Sequence, residues 1–99
     1  MATSSTPGAT KQKHPALVAF GEAVRRRRKL LGLSQEAFGD RCGIDRSYMG
    51  GIERGEHNLA LLNILKIVGA LQIAPSELFK DLDALVAPGA PRRSTRTRA

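Results

Sequence analysis

The residues of this chain that could do chemistry are mostly cations. Arg25, Arg26, Arg27, Arg28 and Lys29 follow one another without a break, and Arg92, Arg93, Arg96 and Arg98 gather near the C-terminus. Lysine and arginine total 16 against 9 acids, a net charge of +7 on 99 residues. An excess of this kind favours a polyanionic partner, through phosphates or anionic lipid. The run itself fits either direct contact with nucleic acid or the solvated face of a helix. Catalytic groups are scarce: His14 and His57 are the two histidines, Cys42 is the one cysteine, and no nucleophile stands at a workable spacing from a base. One cysteine excludes an intrachain disulfide and a cysteine-based metal site. No glycine loop with phosphate-binding spacing follows a strand. We therefore expect no enzyme, no metal, no cofactor and no small-molecule ligand.

These side chains need a frame, and its local code is helical. "PALVAFGEAVRRRRKLLG" opens at Pro15, places Leu17, Phe20, Val24 and Leu31 at helical spacing, and stops at Gly32. Ser34 caps a second helix, "QEAFGDRC", which Gly43 ends. Asp45 opens a third, with Met49 and Ile52 inward, that runs to Gly55. This helix contains Gly50 and Gly51, each costing about 1 kcal/mol relative to alanine, so some body is expected to approach too closely for a side chain there. "LLNILKIVGALQI" predicts a largely buried fourth helix carrying Leu61, Ile64, Leu65, Val68 and Leu71 inward. After Pro75, with Ser76 as cap, a fifth helix carries the stripe Leu78, Phe79, Leu82, Leu85 and Val86. No segment alternates long enough to propose a strand. The fold class is all-α: a compact five-helix domain over residues 14–87, between a basic N-terminal arm, 1–13, and a basic C-terminal tail, 88–99. Both arms are expected to be flexible and to add sequence-independent affinity for a polyanion. No apolar run approaches the roughly 18 residues needed to span a bilayer.

At "GLSQEAFGDRCGIDRSYMGGIERG", residues 32–55, the chain resembles the helix-turn-helix family of phage repressors, Cro proteins and related bacterial regulators. Gly39 stands at the small position where the second helix crosses the third, and Gly43 stands at the sharp turn. Phe38, Cys42, Ile44, Met49 and Ile52 fall on the family's apolar positions. "IDRSYMGGIERG" is also similar to controller proteins of restriction-modification systems. The resemblance implies a repressor-like fold in which the third helix lies in the major groove of duplex DNA. It then implies that Arg46, Ser47 and Tyr48 read bases, and that Gln35, Gly50, Gly51, Arg54 and Asn58 contact the DNA backbone. Gly50 departs from the polar residue common there. Arg28 and Glu53 match a pair that joins the first helix to the third in many family members, and Arg27 replaces an apolar residue. His57 is expected to be a solvated loop residue.

One recognition helix reads few base pairs, so regulatory affinity calls for a homodimer on a near-palindromic operator. The surface expected to join the copies is the fifth-helix stripe: Leu78, Leu82, Leu85 and Val86. The function implied is a sequence-specific transcriptional regulator, a repressor or autoregulator, placed in the cytoplasm on the nucleoid. The alternative is a protein-interaction module that keeps the helix-turn-helix as scaffold and uses the fifth helix as its partner surface.

Overall fold

The computed structural model describes residues 13–85. Residues 1–12 and 86–99 lie outside the described residues, and with them Val86, the C-terminal tail, the N-terminal arm up to residue 12 and the expectations placed on them.

The described chain is helical and contains no strand. Helix α1, Pro15–Leu30, starts on the rigid φ of Pro15, with His14 Nδ1 accepting the Ala16 N–H at 3.0 Å. Helix α2, Gln35–Cys42, is capped by the Ser34 hydroxyl, which accepts from the Ala37 N–H at 3.0 Å, and it closes on Gly43 at φ 73°. Helix α3, Arg46–Glu53, begins at its N-cap Asp45, and the chain reverses at Gly55 with φ 78°. Helix α4, Leu61–Leu71, ends on Gln72 in the left-handed region. Helix α5, Pro75–Phe79, leads directly into a 3-10 helix, Lys80–Leu85.

These elements enclose one core. Phe20 and Val24 of α1 meet Phe38 of α2, Met49 and Ile52 of α3, Ile67 and Leu71 of α4, and Leu78 of α5. Each fully buried side chain of this size contributes roughly 1.5–3 kcal/mol of transfer free energy. Helix α1 crosses α3 at Gly21, where a Cβ would stand 2.6 Å from the Glu53 carbonyl oxygen and would collide with that of Ile52. At Gly39 a Cβ would lie 2.6 Å from the Ile44 carbonyl oxygen, so the α2–α3 turn closes only on a glycine.

The C-terminal half departs from the sequence-based expectation in four ways. Helix α4 is not largely buried: Leu61 and Leu65 point outward, 66% and 45% exposed, while Ile67 takes the core position. The fifth helix has Ala74, not Ser76, at its N-cap, because Pro75 occupies the first helical position, and no side chain caps it. It is not one α-helix either, since 3-10 winding from Lys80 onward breaks the 3.6-residue stripe. Leu78 is removed from the proposed interface, being wholly enclosed by its own chain, whereas Leu82 is half-buried and Leu85 exposed. At the end of α1, Leu31 is likewise outside the core, because it is the C-cap residue.

Candidate nucleic-acid interface

The third helix is held from behind by a charged pair. Arg28 Nε donates to Glu53 Oε2 at 2.6 Å and its Nη2 to Oε1 at 3.0 Å, and both side chains are buried. The remaining guanidinium nitrogen, Nη1, donates to the Leu33 carbonyl at 2.7 Å. Gln35 Nε2 also donates to Glu53 Oε1, at 3.0 Å. The Glu53 carboxylate thus ties α1, α2 and α3 together, with the Arg28 guanidinium adding the α1–α2 loop, and a fork of this geometry fixes orientation as well as distance. The Gln35 amide NH2 expected at a DNA phosphate is instead engaged inside the chain.

At the front of the same helix, Asp45 takes the free end. Its carboxylate accepts the Ser47 N–H at 3.0 Å and the Ser47 hydroxyl in a short contact. Those hydrogen bonds, with the Tyr48 N–H and the Arg46 charge, hold the Asp45 carboxyl below the usual carboxylate range. The Ser47 hydroxyl proton is therefore committed to the cap, and only its oxygen lone pairs remain to meet a base edge. Arg46, beside it, is exposed and takes part in none of the ion pairs among the described residues.

Gly50 and Gly51 are buried by their own chain, so the close approach expected of DNA or of the second helix is made from within, by Gln35 of α2 together with Arg54 and His57. A Cβ at Gly50 would lie 3.0 Å from Arg54 Nη1 and 3.5 Å from Gln35 Oε1. Above Gly51 lies the His57 ring, whose Cδ2 would be 2.7 Å from an added Cβ. His57 is no free loop residue, since it stacks on Tyr48 with centroids 4.2 Å apart and planes 15° apart. Arg54 forks onto Glu56, at 2.9 and 3.2 Å, so its charge reaches the surface partly neutralised. That contact lowers the Glu56 carboxyl and raises the Arg54 guanidinium. Asn58 is exposed and borders a groove with His14 and Leu17.

Most of the basic run faces elsewhere. Arg28 is spent on Glu53, Arg27 reaches Glu77 at 3.3 Å, and Arg26 reaches Asp81 at 2.9 Å. Three consecutive cations thus fasten α1 to α3, α5 and the 3-10 helix, while Arg25 and Lys29 remain exposed. Cys42 is buried, which pushes its thiol up to about 11 and keeps it unreactive. His57, Glu56 and Gly21 were invisible as site residues in the sequence. Tyr48 and His57 are joined across the chain reversal at Gly55, and Arg54 and Glu56 sit at a spacing that pairs on no regular helix.

Two crossing glycines, a buried Arg–Glu fork and a helix presenting its N-terminal residues outward describe a helix-turn-helix module, and comparison with known proteins agrees. Residues 24–78 match the family model described as "Helix-turn-helix", more than half of the chain, and the protein belongs to that family. Control protein C.MunI from Mycoplasma sp is 40% identical over 67 residues, covering 67% of this chain and 90% of that protein. The crystal structure of the restriction-modification controller protein C.AhdI from Aeromonas hydrophila superposes with a TM-score of 0.65 at 52% identity, covering 67% of this chain and 100% of that one. The DNA-binding domain of the P22 C2 repressor superposes with a TM-score of 0.59 at 36% identity, covering 62% of this chain and 80% of that one. The chain is a repressor-like DNA-binding transcription regulator with bacterial relatives, and its family is not one of enzymes. No single helix among the described residues is long and apolar enough to cross a membrane.

Proposed function

We propose that this protein binds a near-palindromic duplex operator as a homodimer and acts as a repressor or autoregulator, with Arg46 as its principal base-reading residue. The observation that carries the reading is the contrast at α3. Arg28 and Arg54 have carboxylate partners, whereas Arg46, in the first turn, is exposed and has none among the described residues. Its guanidinium can donate two parallel hydrogen bonds to O6 and N7 of guanine. Arg46→Ala should cost about 1–3 kcal/mol on the preferred duplex and much less on a random one. Equal losses on both would reduce Arg46 to a phosphate contact and sink the reading. Tyr48 is its neighbour at the base edges, Ser47 contributes as an acceptor, and Asn58 and Arg54 serve the backbone.

The second copy is needed because one helix reads few base pairs. The apolar side chains left outside on the C-terminal half supply the contact: Leu61, Leu62 and Leu65 of α4 and Leu85 of the 3-10 helix. Exposed leucines of this number are candidates for a contact across a twofold axis. Replacing Leu65 and Leu85 by aspartate should give folded monomers by sedimentation, with operator affinity sharply weakened. Dimers that persist in this variant would put the interface elsewhere. The relatives that are restriction-modification controllers point to the same circuit here, and an endonuclease or methyltransferase gene beside this one is the expected genomic neighbour.

A further inference from the structure

We infer that Gly51, His57 and Tyr48 form one positioning device, in which His57 fixes the angle of the Tyr48 ring at the reading edge of α3 and so contributes to the choice of base sequence. The inference rests on the DNA-reading role proposed for α3. Tyr48 is the third residue of that helix and stacks nearly parallel on His57, at 4.2 Å and 15°. Tyr48 is partly buried against the core, and a flat partner at this distance further restricts the rotamers left to its ring.

His57 is itself held on three sides. Its ring fills the space over Gly51, where a methyl group would stand 2.7 Å from Cδ2 and nearer still to Nε2. The residue before it, Glu56, is fastened by Arg54 at 2.9 Å and approached by Lys13 at 4.0 Å. The loop that delivers both is seated by Gly55, whose own Cβ would lie 2.8 Å from Val18 Cα. The second glycine of α3 therefore makes room for a ring of this protein, and the ordering of Tyr48 is complete before DNA arrives. An aromatic edge held in this way suits an apolar contact with a thymine methyl group in the major groove, which depends on base identity, unlike a phosphate contact.

The test uses the full chain. Duplexes are enriched from a random pool by the wild-type protein, and affinities for the enriched duplex and a scrambled one are measured at fixed salt. His57→Ala and Gly51→Ala should each lower the ratio of the two affinities about three- to tenfold, leaving the scrambled affinity unchanged. His57→Phe, which keeps a flat ring, should restore most of the ratio. In a Tyr48→Ala background, His57→Ala should have no further effect.

A readout without DNA accompanies these. Tyr48 is the only tyrosine and tryptophan is absent, so tyrosine emission and ring-proton shifts report this stack alone. Both signals should change in His57→Ala and Gly51→Ala, with helix content retained. Three results would overturn the inference: a ratio undiminished in His57→Ala, a loss that persists without Tyr48 and so marks a direct histidine contact with DNA, or a Tyr48 signal unchanged in both variants. A wild-type protein that enriches no sequence removes the proposed reading of DNA and this inference with it. That failure appears at the enrichment step and is thereby distinct from failure of the device.

Discussion

The helix-turn-helix segment, Ser34 to Glu53, and the C-terminal segment, Leu61 to Leu85, use the same kinds of side chain to opposite ends. In the first, Phe38, Cys42, Ile44, Met49 and Ile52 are all inside, and its carboxylate Glu53 is buried against Arg28. In the second, Leu61, Leu62, Leu65 and Leu85 are outside, and its carboxylates Glu77 and Asp81 meet Arg27 and Arg26 at the surface. Three adjacent arginines of α1 thus serve two regimes. A buried pair sets geometry and is costly to break, whereas exposed pairs fasten loosely and yield to salt. The first segment is finished within one chain; the second leaves apolar side chains exposed.

Breaking the buried side of that contrast has the largest effect. Glu53→Ala strands the Arg28 charge and should destabilise the fold by about 3–5 kcal/mol in urea denaturation. The double variant Arg28→Met, Glu53→Leu should lose far less, and an equal loss would show that the carboxylate network matters beyond its charge balance. Gly21→Ala comes next, since its methyl must push α1 off the Ile52 and Glu53 carbonyls, with an overpacking cost of about 1–3 kcal/mol by thermal melting.

On the exposed side, Asp81→Ala should cost less than about 1 kcal/mol, and the difference should vanish in high salt. A larger or salt-independent loss would erase the distinction between the two regimes. The smallest effect is titration of the α3 cap. The Asp45 carboxyl is depressed in the folded chain, so its contribution is present above the unfolded value and lost as pH falls through the lower folded one. Protection of the Ser47 amide, measured against its intrinsic exchange rate, should therefore fall in acid, and Asp45→Asn should flatten that dependence.

The first three helices were readable because their ends are written in single residues. Ser34, Gly43, Asp45 and Gly55 act within one turn of where they stand, through a side-chain cap or a left-handed φ. Helix α4 was not readable in the same way. "LLNILKIVGAL" is apolar on several faces, so periodicity offers both a face with Leu61 and Leu65 and one with Ile67, and packing against α2 and α5 chose the latter. The 3-10 winding after Phe79 likewise left no local mark that distinguishes it from a continuing α-helix.

By itself, the sequence determined an all-α chain, the limits of α1, α2 and α3, and a resemblance that placed Arg28 with Glu53 and Arg46 in the first turn of α3. Only the tertiary structure decided which of the consecutive arginines is buried, that the Ser47 hydroxyl and Gln35 amide are engaged within the chain, and that His57 lies over Gly51 against Tyr48. The physical reason is range. Caps and glycine turns are settled by neighbours a few residues away, whereas burial and ring stacking depend on where the chain returns after it reverses, which no local spacing records.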